Sequence, residues 1–210
     1  MARQPISLGF KLVISLVGSL VVLFGVISFI TFNQHQNHLR AAVINGAMRI
    51  ADTIERTITR DMLRSNCLEA FELIQTIGDS NGIEKIRIFD KEGHIEYSTH
   101  AEELNNFVDK DAEQCFVCHS SSQPARRLAT DQRWRIFNDA QGKRILGLIN
   151  PIWNEPRCST AECHYHPADI SVLGVLDVNM SLDEVDTLVA GDRNLTLMMY
   201  VFTVAVVALI

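Results

Sequence analysis

The sequence lacks the motifs that mark most enzymes. It contains no Ser-His-Asp set, no nucleotide-binding loop and no paired carboxylates that suggest a catalytic site. It also lacks blocks of like charge and low-complexity runs, and its 25 acidic residues outnumber its 19 basic residues, giving a net charge of −6. No catalytic residue is therefore predicted in this segment. Nucleic acid is excluded as a partner, and a protein that docks through electrostatics is expected to be basic.

Charge is also absent from two long apolar segments, one near each end of the chain. The first spans residues 12–32, and a helix needs about 20 apolar residues to cross a bilayer. A cleaved signal peptide would have a shorter apolar region followed by a small-residue cleavage site. Arg3 and Lys11 precede the segment and no Lys or Arg occurs at 33–38, so the positive-inside rule places residues 1–11 in the cytoplasm.

The second apolar segment, residues 195–210, is too short for a complete span. We predict a second transmembrane helix over 194–210 that is truncated, in a protein that continues into the cytoplasm. Residues 33–193 between the two spans then form one extracytoplasmic domain.

The pattern between the spans predicts an α+β domain that begins with a long helix over residues 39–77. The apolar stripe of this helix has coiled-coil spacing: Val43, Ala47, Ile50 and Ile54. The stripe fits a dimer seam and equally fits packing against the protein's own sheet, and both alternatives remain open. Cys67, the unpaired fifth cysteine, is expected to be a small buried hydrophobic residue.

Strand signals follow this helix. An alternating pattern on either side of the turn residues 90–93 predicts one hairpin, and a second pair of strands flanks residues 138–142. Residues 100–130 show no sustained period and are predicted to form loops and short helices. Together the strands predict an antiparallel sheet. They are residues 83–89, 94–99, 134–137, 143–152 and 172–178.

The most specific motif is the pentapeptide at residues 115–119. Cys115 and Cys118 lie three positions apart and His119 follows at once, which is the pattern of a c-type haem attachment site. Each thiol can form a thioether with a haem vinyl group, and the imidazole can then ligate the iron. The motif therefore predicts a covalent haem with His119 as its proximal ligand.

A related pattern occurs at Cys158, Cys163 and His164, where four residues instead of two separate the thiols. Two cysteine pairs could also form a zinc site or two disulfides. Zinc does not require a histidine directly after each second cysteine, and disulfides leave both Cys-His pairs unexplained. We predict two covalently bound haem c groups, the second tethered by Cys158 and Cys163 and ligated by His164.

Each haem iron also has a second axial position. The candidate distal ligands are the other histidines and a methionine in the haem-bearing half: His94, His100, His166 and Met180. His35 and His38, near the membrane, are poorer candidates. His166 lies two residues from His164, so it is not expected to reach the opposite face of the same haem and is a candidate ligand for the other one.

This order of parts resembles the Cache or PAS-like extracytoplasmic sensor domain of bacterial transmembrane receptors, in the subgroup that carries c-type haem. The resemblance covers residues 35–193, and its specific part is the 115–119 motif between the strand pairs. It implies a sensor histidine kinase or methyl-accepting chemotaxis protein of the inner membrane, with the haem domain in the periplasm. It also implies a homodimer that signals to a cytoplasmic module or response regulator. The four-residue spacing between Cys158 and Cys163 departs from the usual two-residue haem motif. No kinase or methylation segment is present in these 210 residues.

By this resemblance the haems detect redox state or a small gas such as nitric oxide, carbon monoxide or oxygen. A membrane-anchored dihaem cytochrome that passes electrons to a redox partner is the main alternative. A large sheet domain around only two haems and a second apolar segment favour the receptor. A ligand-binding Cache domain with purely structural haems is a third possibility.

Overall fold

The computed structural model describes residues 8–64, 66–109, 112, 114–119, 128–159 and 166–209. Within them the helices are α1 (Leu8–Met62), α2 (Cys67–Gly78), α3 (Phe116–His119), α4 (Pro156–Ser159) and α5 (Asp183–Leu209). The strands are β1 (Ile83–Asp90), β2 (Ile95–Ser98), β3 (Trp134–Asn138), β4 (Arg144–Trp153) and β5 (Val172–Ser181). Short 3-10 helices occur at Ala101–Glu103 and Thr130–Gln132. The chain divides into two compact units: residues up to 42 with those from 185 onward, and residues 43–184.

The five strands form one antiparallel sheet in the order β2-β1-β5-β4-β3. The two predicted hairpins are β1 with β2 and β3 with β4. Strand β5 lies between them, where Leu176 pairs with Ile88 of β1 and Val178 pairs with Leu148 of β4. The predictions of an α+β fold, a long N-terminal helix and an antiparallel sheet are therefore confirmed.

One face of the sheet forms the hydrophobic core of the 43–184 unit. Successive side chains of a strand point to opposite faces, so one alternating set faces the helices. The members of this set are almost fully buried: Ile86, Leu146, Leu148, Leu176 and Val178. Ile54 and Ile58 of α1 and Ile74 of α2 are buried as well. Each such side chain contributes about 1.5–3 kcal/mol when it is removed from water.

The apolar stripe of α1 is partly used inside the single chain. Ala47 and Ile54 are 3% and 2% exposed, whereas Ile50 is 40% exposed. At Ala47 and Ile54 the structure favours packing within the protein's own domain over a dimer seam. Ile50 stays accessible to a partner.

The single helix predicted over 39–77 is wrong in one respect, because α1 and α2 are separate helices. The backbone N–H of Asn66 donates to the carbonyl of Asp61 at 3.0 Å in the connection between them. Asn66 then precedes α2 as its N-cap residue, and its side-chain Nδ2 donates to Glu69 Oε2 at 3.0 Å instead of capping the backbone. Asparagine is also a poor residue for a helix interior, which agrees with the break. The side chain of Cys67 lies outside the described part, so its burial stays a prediction.

The other unit contains the apolar parts of α1 and α5. Helix α1 holds a stretch that is long and apolar enough to cross a membrane, and its composition fits a membrane anchor or a signal sequence. No other helix among the described residues meets the same criterion, so the span over 194–210 stays a prediction. The hydroxyl of Tyr200 lies 3.5 Å from the carbonyl oxygen of Val21. His35 Nε2 lies 3.1 Å from Asp192 Oδ2.

Candidate functional site

The face of the sheet opposite the helices carries a cavity of about 480 Å³. Pockets for small molecules and cofactors generally measure about 300–1,000 Å³. Its floor is formed by apolar side chains from three neighbouring strands: Phe89, Ile149 and Val175. We call this space the motif cavity, because all three functional groups of the first Cys-His motif line it: Cys115, Cys118 and His119.

The local backbone explains why these three side chains meet. The motif forms a helical turn, in which the N–H groups of Cys118 and His119 both donate to the carbonyl of Cys115, at 3.1 and 3.0 Å. Residues three apart on a helix are neighbours on its surface, so the two thiols lie on the same side. His119 lies next to them and is exposed. The structure therefore brings these three residues to one cavity, and their binding of a haem stays a prediction.

Burial changes the acidity of the first thiol. It raises the pKa of Cys115 from 9.0 to about 11, and the negative charge of Asp177 adds to this effect while the Arg87 guanidinium opposes it. Burial also raises the pKa of Cys118. Because the thiolate is the reactive form of cysteine, both thiols are neutral and weakly nucleophilic at neutral pH.

The hairpin turn between β1 and β2 forms another wall of the motif cavity. Its residue Gly93 has φ +88°, and a Cβ atom there would lie 2.8 Å from the carbonyl oxygen of Val108. The Val108 N–H donates to the Gly93 carbonyl at 2.7 Å, so the two backbones are held together. Only glycine fits this conformation and this approach without strain.

Replacing Gly93 by alanine should therefore destabilise the protein by about 2–4 kcal/mol, because a left-handed backbone and a steric clash both oppose the methyl group. Gly142 provides the matched control, since it has φ +82° but no atom within 4 Å of its added Cβ. Gly142→Ala should cost only about 1–2 kcal/mol. Denaturant unfolding followed by tryptophan fluorescence measures the free energy of unfolding of both variants. If Gly93→Ala and Gly142→Ala lose the same stability, the clash with Val108 is contradicted.

A buried charged cluster lies beside the motif cavity on the same face of the sheet. Asp177 is 0% exposed, and its Oδ2 accepts hydrogen bonds from Arg87 Nε at 3.1 Å and Nη2 at 2.6 Å. Its Oδ1 accepts from Arg135 Nη2 at 2.7 Å. Gly147 of β4 leaves room for this guanidinium, because a Cβ there would lie 2.7 Å from Arg135 Cζ. Sequence reasoning missed this cluster, although a carboxylate inside an apolar strand is a recognisable signal of a buried pair.

Two candidate distal ligands lie on or beside the first hairpin and make other contacts. His94 Nδ1 is 3.1 Å from Glu96 Oε1, and its ring lies 5.1 Å from the ring of Phe107. His100 Nδ1 is 3.8 Å from Glu102 Oε1. Neither histidine lines the motif cavity as the structure describes it.

The other two candidates are also elsewhere. Met180 lies two residues after Val178 on β5, so both side chains point to the same face of the sheet. This is the helix-covered face, opposite the motif cavity. His166 lines a separate cavity of about 30 Å³ together with Cys158 and Met62. The described walls of the motif cavity thus include none of the four candidate distal ligands.

The second Cys-His motif is only partly described. Cys158 is buried at the short helix α4. Cys163 and His164 lie outside the described residues, so their pairing with Cys158 stays a prediction.

The residues of the motif cavity fit a covalent haem. Two thiols and an imidazole are its attachment and ligation groups, and the floor offers apolar contacts to a porphyrin. No protein-family model matches the chain, and no curated protein matches it either. Function must therefore be argued from this cavity and from the sequence motifs.

Proposed function

We propose that this chain is the sensor part of a membrane-bound signal receptor whose c-type haems detect redox state or a small gas. The observation that supports this most is the motif cavity, which is lined by Cys115, Cys118 and His119. The antiparallel sheet with its long N-terminal helix agrees with the Cache or PAS-like domain that the sequence resembles.

Each residue of the motif cavity has a role in this proposal. Cys115 and Cys118 tether the haem through thioether bonds, His119 ligates the iron, and the apolar floor contacts the porphyrin. The haem supplies an iron that changes oxidation state and binds diatomic gases. Because the pKa of Cys115 is raised by burial, little thiolate forms at neutral pH, and attachment should depend on haem-maturation machinery.

The location follows from the same proposal. The apolar part of α1 anchors the receptor in the bacterial inner membrane, a second helix over 194–210 returns to the cytoplasm, and residues 33–193 lie in the periplasm. We also propose a homodimer, to which the exposed Ile50 is available. The signal would pass to a cytoplasmic output module such as a histidine kinase.

The path along the chain from the cavity to the second predicted membrane helix is short. Val172 and Val175 of β5 line the motif cavity, and β5 ends at Ser181. Helix α5 begins two residues later, and the N–H of Asp183 donates to the Ser181 hydroxyl at 3.2 Å. A change in the cavity that shifts β5 would therefore reach α5 directly, and small helix shifts are an established way to transmit a signal.

A haem count tests the proposal. The full chain, produced together with haem-maturation machinery, should carry two covalent haems by intact mass and by the pyridine haemochrome spectrum. The variant C115A/C118A should lose one haem, because a thioether cannot form without a thiol. The variant C158A/C163A should lose the other, and C67A should keep both.

Two results would contradict parts of this assignment. If C115A/C118A retains the full haem content, the motif cavity is not the attachment site and the proposal fails. If the wild-type chain carries a single haem that C158A/C163A leaves in place, the second motif is a disulfide or metal loop, and a one-haem sensor remains.

A further inference from the structure

The ion pair between Arg87 and Asp177 lies directly beside the floor of the motif cavity. Asp177 is two residues after Val175 on β5, and Arg87 is two residues before Phe89 on β1. Successive side chains of a strand alternate between the two faces, so all four side chains share the face that carries the cavity. Val175 and Phe89 line the cavity. Two residues of a strand span about 7 Å, which places the ion pair in the next row of side chains.

The neighbouring strand β4 brings Asp177 against the cavity from a second side. Its residue Ile149 pairs with Asp177 in the antiparallel register and lines the cavity floor. Adjacent strands are about 4.8 Å apart. Asp177 therefore has cavity-lining neighbours both along its own strand and across the sheet.

Burial distinguishes this ion pair from the charged residues of the cavity wall. Those residues are half-buried or exposed, so water and salt screen their charges. They are Asp90, Lys91, Glu92 and Asp169. Asp177 is 0% exposed and Arg87 is 8% exposed. Because the effective dielectric constant is lower in the interior, a buried charge acts more strongly on its surroundings than an exposed one.

The ion pair also acts on a thiol that would hold the haem. Burial is the largest cause of the raised pKa of Cys115, the negative charge of Asp177 adds to it, and the Arg87 guanidinium opposes it to a smaller extent. The field of the ion pair thus reaches the motif cavity, and the carboxylate has the larger effect there.

We propose that this ion pair sets the reduction potential of the haem in the motif cavity, with Asp177 favouring the ferric form and Arg87 the ferrous form. The inference rests on the proposed function, because it concerns the haem that Cys115 and Cys118 tether. Reduction takes one electron from a one-electron donor and lowers the charge of the haem by one unit. A nearby carboxylate therefore opposes reduction and a nearby guanidinium favours it.

The balance between the two charges decides how the receptor responds to redox state. Because Asp177 has the larger effect at the cavity, the ion pair lowers the potential of the haem. A stronger reductant is then needed to reduce the iron, and signalling begins at a lower ambient potential.

The potential can be measured by spectroelectrochemical titration of the full chain in detergent, in the variant C158A/C163A, which carries the first haem alone. Asp177→Asn should raise the potential and Arg87→Gln should lower it. A unit charge about 12 Å away changes a one-electron equilibrium about tenfold at an effective dielectric constant of about 20. Each substitution should therefore shift the equilibrium between ferric and ferrous haem about tenfold, which corresponds to about 59 mV.

Further variants separate the effect of charge from an effect of structure. Arg87→Lys keeps the charge, so its potential should lie close to that of the parent variant. Arg60→Gln removes a guanidinium that is 60% exposed and does not line the cavity, and it should leave the potential unchanged. The shifts should persist at high salt, because salt screens buried charges much less than exposed ones. If Asp177→Asn does not fold, Arg87→Gln and Arg87→Lys decide the test.

Opposite shifts for Asp177→Asn and Arg87→Gln, with the parent potential restored in Arg87→Lys, would support the proposal. Shifts in the same direction would indicate a change in packing or solvent access, and they would overturn it. Unchanged potentials, or a loss in Arg87→Lys as large as in Arg87→Gln, would overturn it too. If C158A/C163A carries no covalent haem, the proposed function fails at the first motif and this inference fails with it. Covalent haem with unchanged potentials would count against this inference alone.

Discussion

Replacing Asp177 by asparagine should lower the free energy of unfolding by about 3–5 kcal/mol. The carboxylate is 0% exposed and accepts three hydrogen bonds from Arg87 and Arg135. An amide of the same shape removes the negative charge and leaves two guanidinium groups close together in a buried place. Breaking a buried ion pair on one side is costly because the remaining charge loses its closest compensation away from water. Glu103 Oε1 lies 3.9 Å from Arg87 Nη1, which is too far to replace the hydrogen bonds of Asp177.

The measurement is denaturant unfolding followed by tryptophan fluorescence, with the protein in its haem-free form. Both tryptophans of the chain, Trp134 and Trp153, lie in strands of this sheet, so their signal reports on the 43–184 unit. Asp183→Asn is the matched control, because its side chain is 56% exposed and it lies 3.9 Å from Lys143. The Asp183→Asn substitution should lower the free energy of unfolding by less than about 1 kcal/mol. A similar loss in both variants would mean that the Asp177 cluster contributes little to stability.

The sequence predicted the parts of the fold that local signals decide. The turn residues 90–93 place a glycine where φ is +88°, and alternation on either side gives the first hairpin. The position of β5 between the two hairpins was not predictable in this way, because strand order depends on contacts between distant segments. The partners of Asp177 could not be predicted for the same reason, since Arg87 and Asp177 are 90 positions apart in the sequence.

In the candidate site, too, local spacing predicted some features, whereas contacts between distant segments decided others. Residues 115–119 are contiguous, so their spacing alone predicts that Cys115, Cys118 and His119 act together, and they do line one cavity. The distal ligand depends on which segment folds over the opposite side, which no local spacing specifies. Each of the four residues proposed for that role is an isolated His or Met, and the fold places it on a hairpin, on the far face of the sheet or in another cavity.

Carbon monoxide should bind fully to the reduced first haem in the variant C158A/C163A, which would carry that haem alone. The physical reason is the composition of the described walls of the motif cavity: the floor is apolar, and none of the four candidate distal ligands faces it. An iron held by His119 without a strong second ligand has an exchangeable position, which a gas sensor requires. The change is read from the Soret band on addition of carbon monoxide.

Substitutions at the candidate ligands provide the controls. His94→Ala and Met180→Leu, made in the same single-haem variant, should leave the ferric, ferrous and carbon monoxide spectra unchanged, because neither residue lines the cavity. Amide exchange in β5 should differ between the reduced and the carbon monoxide forms, since Val172 and Val175 line the cavity and β5 leads to α5. If the haem stays six-coordinate in both oxidation states and does not bind carbon monoxide, an electron-carrying cytochrome is favoured over a sensor. If His164→Ala alone then opened the iron to carbon monoxide, the second motif would be the source of the distal ligand.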